Sequence, residues 1–118
     1  MAVLVIMLTL SVGRGQSSPG DIAFTAFNAD GNDDFAFVAL VDISNGAIIY
    51  FTDNEWDGDS FNNTNEGYVT WTATSDLEAG TVVVVTDANG SESVNVGTVS
   101  ETGTFNLSPS NETLFALS

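Results

Sequence analysis

Between Asp53 and Asp59 the chain reads Asp-Asn-Glu-Trp-Asp-Gly-Asp, four carboxylates and an indole within seven residues. Two carboxylates that flank a sugar bond can divide acid and base or nucleophile roles, and an indole can stack on the sugar ring. A carboxylate-pair glycoside hydrolase needs those groups at a fixed separation. This stretch instead runs on through Gly58, Asn62, Asn63 and Asn65 to Gly67, with no rigid element to fix them. Trp56 then has two roles open to it. It can bind carbohydrate together with Tyr68, or it can lid one end of the fold, which is the expected role.

A second oxygen-rich stretch precedes it. Asn28-Ala29-Asp30-Gly31-Asn32-Asp33-Asp34 gathers five oxygen-bearing side chains around a glycine, half of what a calcium loop requires. An EF-hand begun at Asn28 needs glycine at its sixth position and a bidentate glutamate at its twelfth, and those positions hold Asp33 and Ala39. The stretch is therefore not an EF-hand, and a hydrated acidic turn is the expected reading. The calcium alternative uses Asn28, Asp30, Asn32 and Asp34, joined by Asp53 and Asp87 if the strand ends that carry them emerge at one end of the fold. No cofactor is otherwise required.

Other chemistries lack their residues. The sequence contains no histidine and no cysteine, which removes imidazole metal sites, Ser-His-Asp triads and thiol nucleophiles together. No phosphate-cradling glycine loop followed by lysine occurs. No catalytic residue is assigned. The charge balance excludes further classes: 16 acidic residues, all after position 20, stand against a single basic one, Arg14. Nucleic acid binding depends on cations that displace counterions, and attraction to anionic lipid depends on the same groups, so neither is an expected partner. A solvated acidic coat suits a saline medium, where salt screens self-repulsion.

The elements that must position these residues are strands. Phe35 to Val41 and Ile48 to Phe51 are rich in aromatic and β-branched residues, and Asn45-Gly46 between them suits a tight turn, so residues 35–57 are expected to form a hairpin followed by an acidic loop. Residues 76–87, Asp-Leu-Glu-Ala-Gly-Thr-Val-Val-Val-Val-Thr-Asp, match residues 42–53, Asp-Ile-Ser-Asn-Gly-Ala-Ile-Ile-Tyr-Phe-Thr-Asp, in type at each position. The hairpin is thus expected twice, with Gly46 and Gly80 at equivalent turns. Ile22 to Phe27 is expected to form the first strand, with Ile22, Phe24 and Ala26 on one face. Tyr68 to Thr72 places Val69 and Trp71 on one face, with Trp71 at the core centre. The unbroken Val82 to Val85 predicts a strand covered on both faces or lying mid-sandwich. Val94 to Val99 and Thr104 to Leu107 predict weaker strands. At 118 residues this is one all-β sandwich domain with a single modest core.

The ends carry their own signals. Met1 to Leu10 is apolar, too short to span a bilayer, and followed by Ser11-Val12-Gly13-Arg14-Gly15, so residues 1–15 read as a signal peptide cleaved near Gly15. No basic residue precedes the apolar run, and a first core strand is the alternative. Residues 16–20 form a linker and 21–118 the domain. Leu114 to Leu117 has strand character at the end of the chain, which predicts a sandwich truncated at its C-terminus that presents an edge strand.

The strings Gly-Asp-Ile-Ala-Phe-Thr-Ala-Phe-Asn-Ala-Asp-Gly from Gly20, Ile-Ile-Tyr-Phe-Thr-Asp-Asn-Glu-Trp-Asp-Gly from Ile48, and Leu-Glu-Ala-Gly-Thr-Val-Val-Val-Val-Thr-Asp from Leu77 carry a resemblance. They resemble a β-sandwich module at or near the N-terminus of large secreted proteins of marine bacteria, many exported by the type IX route or bearing adhesive or hydrolytic domains. The spacing is also distantly similar to the lamin-tail immunoglobulin-like fold. Ser44-Asn45 stands where that pattern has Pro-Ala, which leaves the turn type open. The resemblance implies a noncatalytic module of a secreted or cell-surface protein, acting in structure, adhesion or assembly. Its partners would be other domains of a longer chain, or copies of itself through an edge strand.

Overall fold

The computed structural model describes residues 3–7, 20–53, 67–107 and 113–117. Among the described residues all elements are strands: β1 (Val3–Met7), β2 (Ile22–Asn28), β3 (Asp34–Ala39), β4 (Ile48–Thr52), β5 (Tyr68–Thr72), β6 (Val82–Thr86), β7 (Ser93–Val94), β8 (Thr98–Thr102) and β9 (Thr113–Leu117). They form a five-stranded sheet in the order β1-β9-β4-β5-β8 and a four-stranded sheet in the order β2-β3-β6-β7, facing each other as a sandwich. Pairing is antiparallel except for β1, which runs parallel to β9.

The expected hairpins do not form. β3 pairs with β2 and β6, while β4 pairs with β5 and β9, so the chain crosses from one sheet to the other at Asn45-Gly46 and again at Ala79-Gly80. The reason is the length between strands. Residues 40–47 separate β3 from β4, too many for the two-residue turn that Asn-Gly favours in a hairpin. Gly46 and Gly80 do adopt the left-handed conformation, at φ 90° and 94°, but as corners of arches that change sheet.

The two arches interlock about a pseudo-two-fold axis, which gives the repeat between residues 42–53 and 76–87 its physical meaning. Phe35 pairs with Val85 as Val69 pairs with Phe51, and Phe37 pairs with Val83 as Trp71 pairs with Ile49. At the corners, Ile43 and Leu77 exchange both backbone hydrogen bonds, at 2.8 and 2.7 Å. The Gly46 amide donates to the Ala73 carbonyl as the Gly80 amide donates to the Ala39 carbonyl. Each arch supplies half of the other's ladder.

Alternation on each strand sends one face inward. Phe35, Phe37, Val83 and Val85 from the four-stranded sheet meet Ile49, Phe51, Val69 and Trp71 from the other, and all are buried. Phe35 and Phe51 rings lie 4.7 Å apart, and Phe37 meets Trp71 edge-on at 5.3 Å, the geometry that ring quadrupoles favour. Trp71 is the core centre, at 0% exposure, and its Nε1 donates to the Val96 carbonyl at 2.9 Å.

Several expectations are corrected. Of the two readings of the valine run, β6 does lie inside its sheet, between β3 and β7, but it is not covered on both faces: Val83 and Val85 point inward while Val82 and Val84 are 45% and 38% exposed. In β2 a bulge between Phe24 and Ala26 turns the strand, so Ala26 faces solvent and Phe27 packs on the core. Residues 104–107 form no strand, although Phe105 and Leu107 are buried. β7 and β8 divide the expected strand at Val94–Val99, with Asn95, Val96 and Gly97 between them. β9 is not an edge, because β4 pairs on one side and β1 on the other. Apart from these corrections, residues 3–7 of the apolar N-terminal segment pair as β1 beside β9.

Candidate functional site

The acidic turn between β2 and β3 is built from hydrogen bonds within the chain. Asn28 Nδ2 donates to the Asn32 carbonyl and to Asp34 Oδ2, each at 3.0 Å, and Asn28 Oδ1 accepts the Asp30 amide at 3.1 Å. This is an Asx turn, in which a side-chain oxygen replaces a backbone acceptor. Asp34 Oδ1 accepts the Asp87 amide at 2.8 Å, so the structure brings Asp34 beside the turn that follows β6. Asp87 holds φ 54°, a conformation that aspartate tolerates better than most residues, and its Oδ2 accepts the Ser91 amide at 3.0 Å.

Asp33, buried beneath this turn, was not among the candidate ligands. Its amide donates to Asn89 Oδ1, its carbonyl accepts the Ala88 amide, and its Oδ2 accepts the Leu107 amide at 2.6 Å. One residue thus ties the β2–β3 turn, the turn after β6 and the segment after β8. Its position immediately before β3, two residues from the inward-facing Phe35, is the available signal.

Of the six candidate calcium ligands, Asn28, Asp34 and Asp87 come together, joined through Asp34. Asp30 and Asn32 are exposed on the same turn. Asp53 is buried at the end of β4, in the other sheet. Both arches turn at the opposite end, so Asp53 and Asp87 do lie at one end of the sandwich. Among the described residues, no group of three or more carboxylates is placed to hold a metal ion.

The candidate sugar-binding pair is divided. Trp56, with Glu55, Asp57 and Asp59, lies outside the described residues, and of the proposed carboxylate-pair stretch only Asp53 is described. Tyr68 is 39% exposed on the outer face of the five-stranded sheet and meets Tyr50, 40% exposed, edge-on at 6.0 Å. Thr70 and Ser100, paired across β5 and β8, continue that face. Tyr50 does not stand out in the sequence because it sits inside a run of apolar residues. The alternation of β4 was the signal, since Ile49 and Phe51 point inward and Tyr50 must point out.

The arches' corners hold a further acidic groove, of about 390 Å³, lined by Asp42, Ile43, Ser44, Asp76, Leu77 and Glu78. Here too the carboxylates have structural work. Asp42 Oδ1 accepts the Ala79 amide at 2.9 Å and Asp76 Oδ1 accepts the Asn45 amide at 2.8 Å, the same bond made twice about the pseudo-axis. Each aspartate satisfies a corner amide of the opposite arch. That is why both copies of the repeat begin with aspartate.

No family model, curated protein or solved structure matches the chain.

Proposed function

We propose that the chain is a noncatalytic extracellular β-sandwich module of a secreted or cell-surface protein, acting in structure, adhesion or assembly. One observation carries this reading. Asp33, Asp34, Asp42 and Asp76 each accept a backbone amide from another part of the chain, and Asp87 accepts one within its own turn. Carboxylates used this way hold the frame, and a sequence without histidine or cysteine offers few other groups for catalysis. Export fits the apolar, small-residue-terminated segment at residues 1–15, which on this reading is removed near Gly15. The resemblance to modules of large secreted bacterial proteins is consistent with this assignment. The frame needs no cofactor. Calcium at the Asn28–Asp34 turn is the weaker alternative, because Asn28, Asp34 and Asp87 would serve as ligands only by giving up donors they already hold.

The test has two arms. The protein is assayed for turnover on a panel of chromogenic glycosides and, by sedimentation, for concentration-dependent association before and after removal of residues 1–15. Association without turnover is expected. Glycoside turnover abolished by substitution of Asp53, Glu55, Asp57 or Asp59 would replace this reading with the hydrolase.

A second reading is favoured by the exposed Tyr50–Tyr68 pair and the hydroxyl row beside it. A sheet face that carries aromatic rings and threonine or serine hydroxyls suits carbohydrate, whose apolar ring faces stack and whose hydroxyls hydrogen-bond. On this reading Tyr68 and Trp56 bind a glycan. Glycan-array binding that is lost in both Tyr68→Ala and Trp56→Ala would establish it, and an array without signal would remove it.

A further inference from the structure

Exposed sheet edges carry unpaired amides and carbonyls, and proteins blunt them with bulges, very short strands or inward-facing charges. Three of the four outer strands here carry such a device. β2 has its bulge between Phe24 and Ala26, and β7 is only Ser93–Val94. β8 places Glu101 opposite the buried Val69, an inward-facing carboxylate whose Oε1 accepts the Phe105 amide at 2.8 Å. The fourth outer strand is β1, and behind it β9 has no device of its own. Thr113-Leu114-Phe115-Ala116-Leu117 contains no charge, no proline and no bulge against β4, and Leu114, Phe115 and Ala116 are buried.

The cover over β9 is the segment that reads as a removable signal. β1 pairs with β9 alone, in the register Val3 to Thr113 through Met7 to Leu117, and it is joined to the domain through Ser11, Gly13, Gly15, Ser17, Ser18, Pro19 and Gly20. Taking away residues 1–15 leaves the rest of the ladder intact and opens one full edge of β9.

We propose that β9 is an assembly edge, capped by β1 until residues 1–15 are removed, and that its occupant is then β9 of a second copy of this chain. The inference rests on the export and assembly reading above. Register argues for the second copy. Two β9 strands paired antiparallel about Phe115 set Leu114 opposite Ala116 of the other copy and Thr113 opposite its Leu117. Directly opposed residues share a face, so the buried Leu114 and Ala116 of both copies fall on the inner side, and the in-and-out alternation continues across the junction. The pairing is two-fold and self-complementary, so it closes as a dimer. Charge opposes it, since each copy without Arg14 carries acidic residues and no basic ones. Salt therefore strengthens the pairing by screening.

The test uses the full chain with a protease site placed between Gly13 and Gln16, folded first and cut afterwards. Because the chain has no cysteine, single substitutions report register without background. Chains with Thr113→Cys are mixed with chains with Leu117→Cys and oxidised, with Thr113→Cys alone as the control, since two copies of that residue lie far apart in the antiparallel register. A monomer before cutting, a dimer after cutting that grows with salt, and a disulfide yield several-fold above the control are expected. A dimer already present before cutting would remove β1 as the cap. A dimer after cutting with no excess cross-link would place the association at another edge, leaving assembly standing and β9 excluded. Unfolding on cutting, or a β1 strand that stays bound, would make β1 an integral strand and overturn the proposal. A released strand with a domain that remains monomeric would overturn both the proposal and the assembly reading beneath it.

Discussion

Trp71 offers the sharpest test of the packing, because three independent features meet at one indole. The ring is fully buried, its edge faces Phe37, and its Nε1 donates to the Val96 carbonyl at 2.9 Å. Gly97 closes the corner behind it. A Cβ on Gly97 would stand 2.6 Å from Trp71 Nε1 and 2.5 Å from the Thr72 carbonyl oxygen, and φ is +81°. Trp71→Ala empties a large buried volume and should cost about 3 to 5 kcal/mol. Trp71→Phe keeps most of the ring but leaves the Val96 carbonyl without its donor and a smaller cavity, for about 1.5 to 3 kcal/mol. Gly97→Ala combines the left-handed penalty with a clash against backbone, and should cost at least about 2 kcal/mol. A chain of 118 residues has a total stability of about 6 to 15 kcal/mol, so each change is measurable and Trp71→Ala approaches the limit. Urea unfolding followed by far-ultraviolet circular dichroism is the assay, since the fluorophore itself is changed. Trp56→Ala should cost far less than Trp71→Ala. Equal destabilisation by the two tryptophan changes, or a neutral Gly97→Ala, would refute the argument.

The interlocked corners predict a symmetric pair of results: Asp42→Ala and Asp76→Ala should each cost about 1 kcal/mol by orphaning a corner amide, while Asp42→Asn and Asp76→Asn keep the acceptor and relieve charge. Asparagine variants that melt no higher than the alanine variants would break that explanation. At the other end, Asp33→Ala removes a buried acceptor from the Leu107 amide and should lower stability by about 2 to 3 kcal/mol, with amide exchange at Leu107 accelerated more than at Trp71. Uniform acceleration of both amides by the same factor would mean that Asp33 acts only through global stability. For calcium, the oxygens of Asp34 and the Oδ2 of Asp87 are already engaged by donors, so calcium and magnesium at matched ionic strength should raise the melting temperature equally. A calcium-specific rise that disappears in Asp34→Ala would instead establish a metal site at that turn.

Much of the frame was legible because period-two alternation speaks directly about faces. Val69 and Trp71 inward, Tyr68 outward and the paired glycines all follow from residue type and spacing. Pairing partners were not legible. Asn45-Gly46 carries the same local preference in a hairpin and in an arch, and only the partner strands β2, β5, β6 and β9 decide which forms. Four consecutive valines likewise say nothing about which faces are covered. The roles of Asp33, Asp42 and Asp76 were hidden for a related reason. Each bonds to an amide distant in sequence, and an aspartate that caps a remote turn looks in sequence like an aspartate facing solvent. Tyr50 was obscured by the apolar residues on either side of it.

The repeat also separates what holds the fold from what could give it a ligand. Positions that make the frame keep their type in both arches: Ala39 and Ala73, Asp42 and Asp76, Gly46 and Gly80, Thr52 and Thr86. The outward positions do not. Where the four-stranded sheet shows Ala36, Val38, Val82 and Val84, the equivalent places on the five-stranded sheet hold Thr70, Thr72, Ile48 and Tyr50. A pseudo-symmetric frame places the same demands on both halves, so at the exposed Val82 and Val84, unlike the buried Ala36, packing gives no reason for the two faces to differ. The difference is available to recognition. If the five-stranded face binds a polar ligand such as a glycan, transplanting Tyr50 and Thr72 to their equivalents through Val84→Tyr and Val38→Thr tests it with the frame unchanged. The doubly substituted chain should keep its stability within about 1 kcal/mol, as outward changes usually do. It should also gain glycan binding on the four-stranded face, measurable in a Tyr68→Ala background that has lost the original site. Retained stability without gained binding would show that the two outward pairs do not suffice, and that Tyr68 and the segment carrying Trp56 supply the contacts that matter.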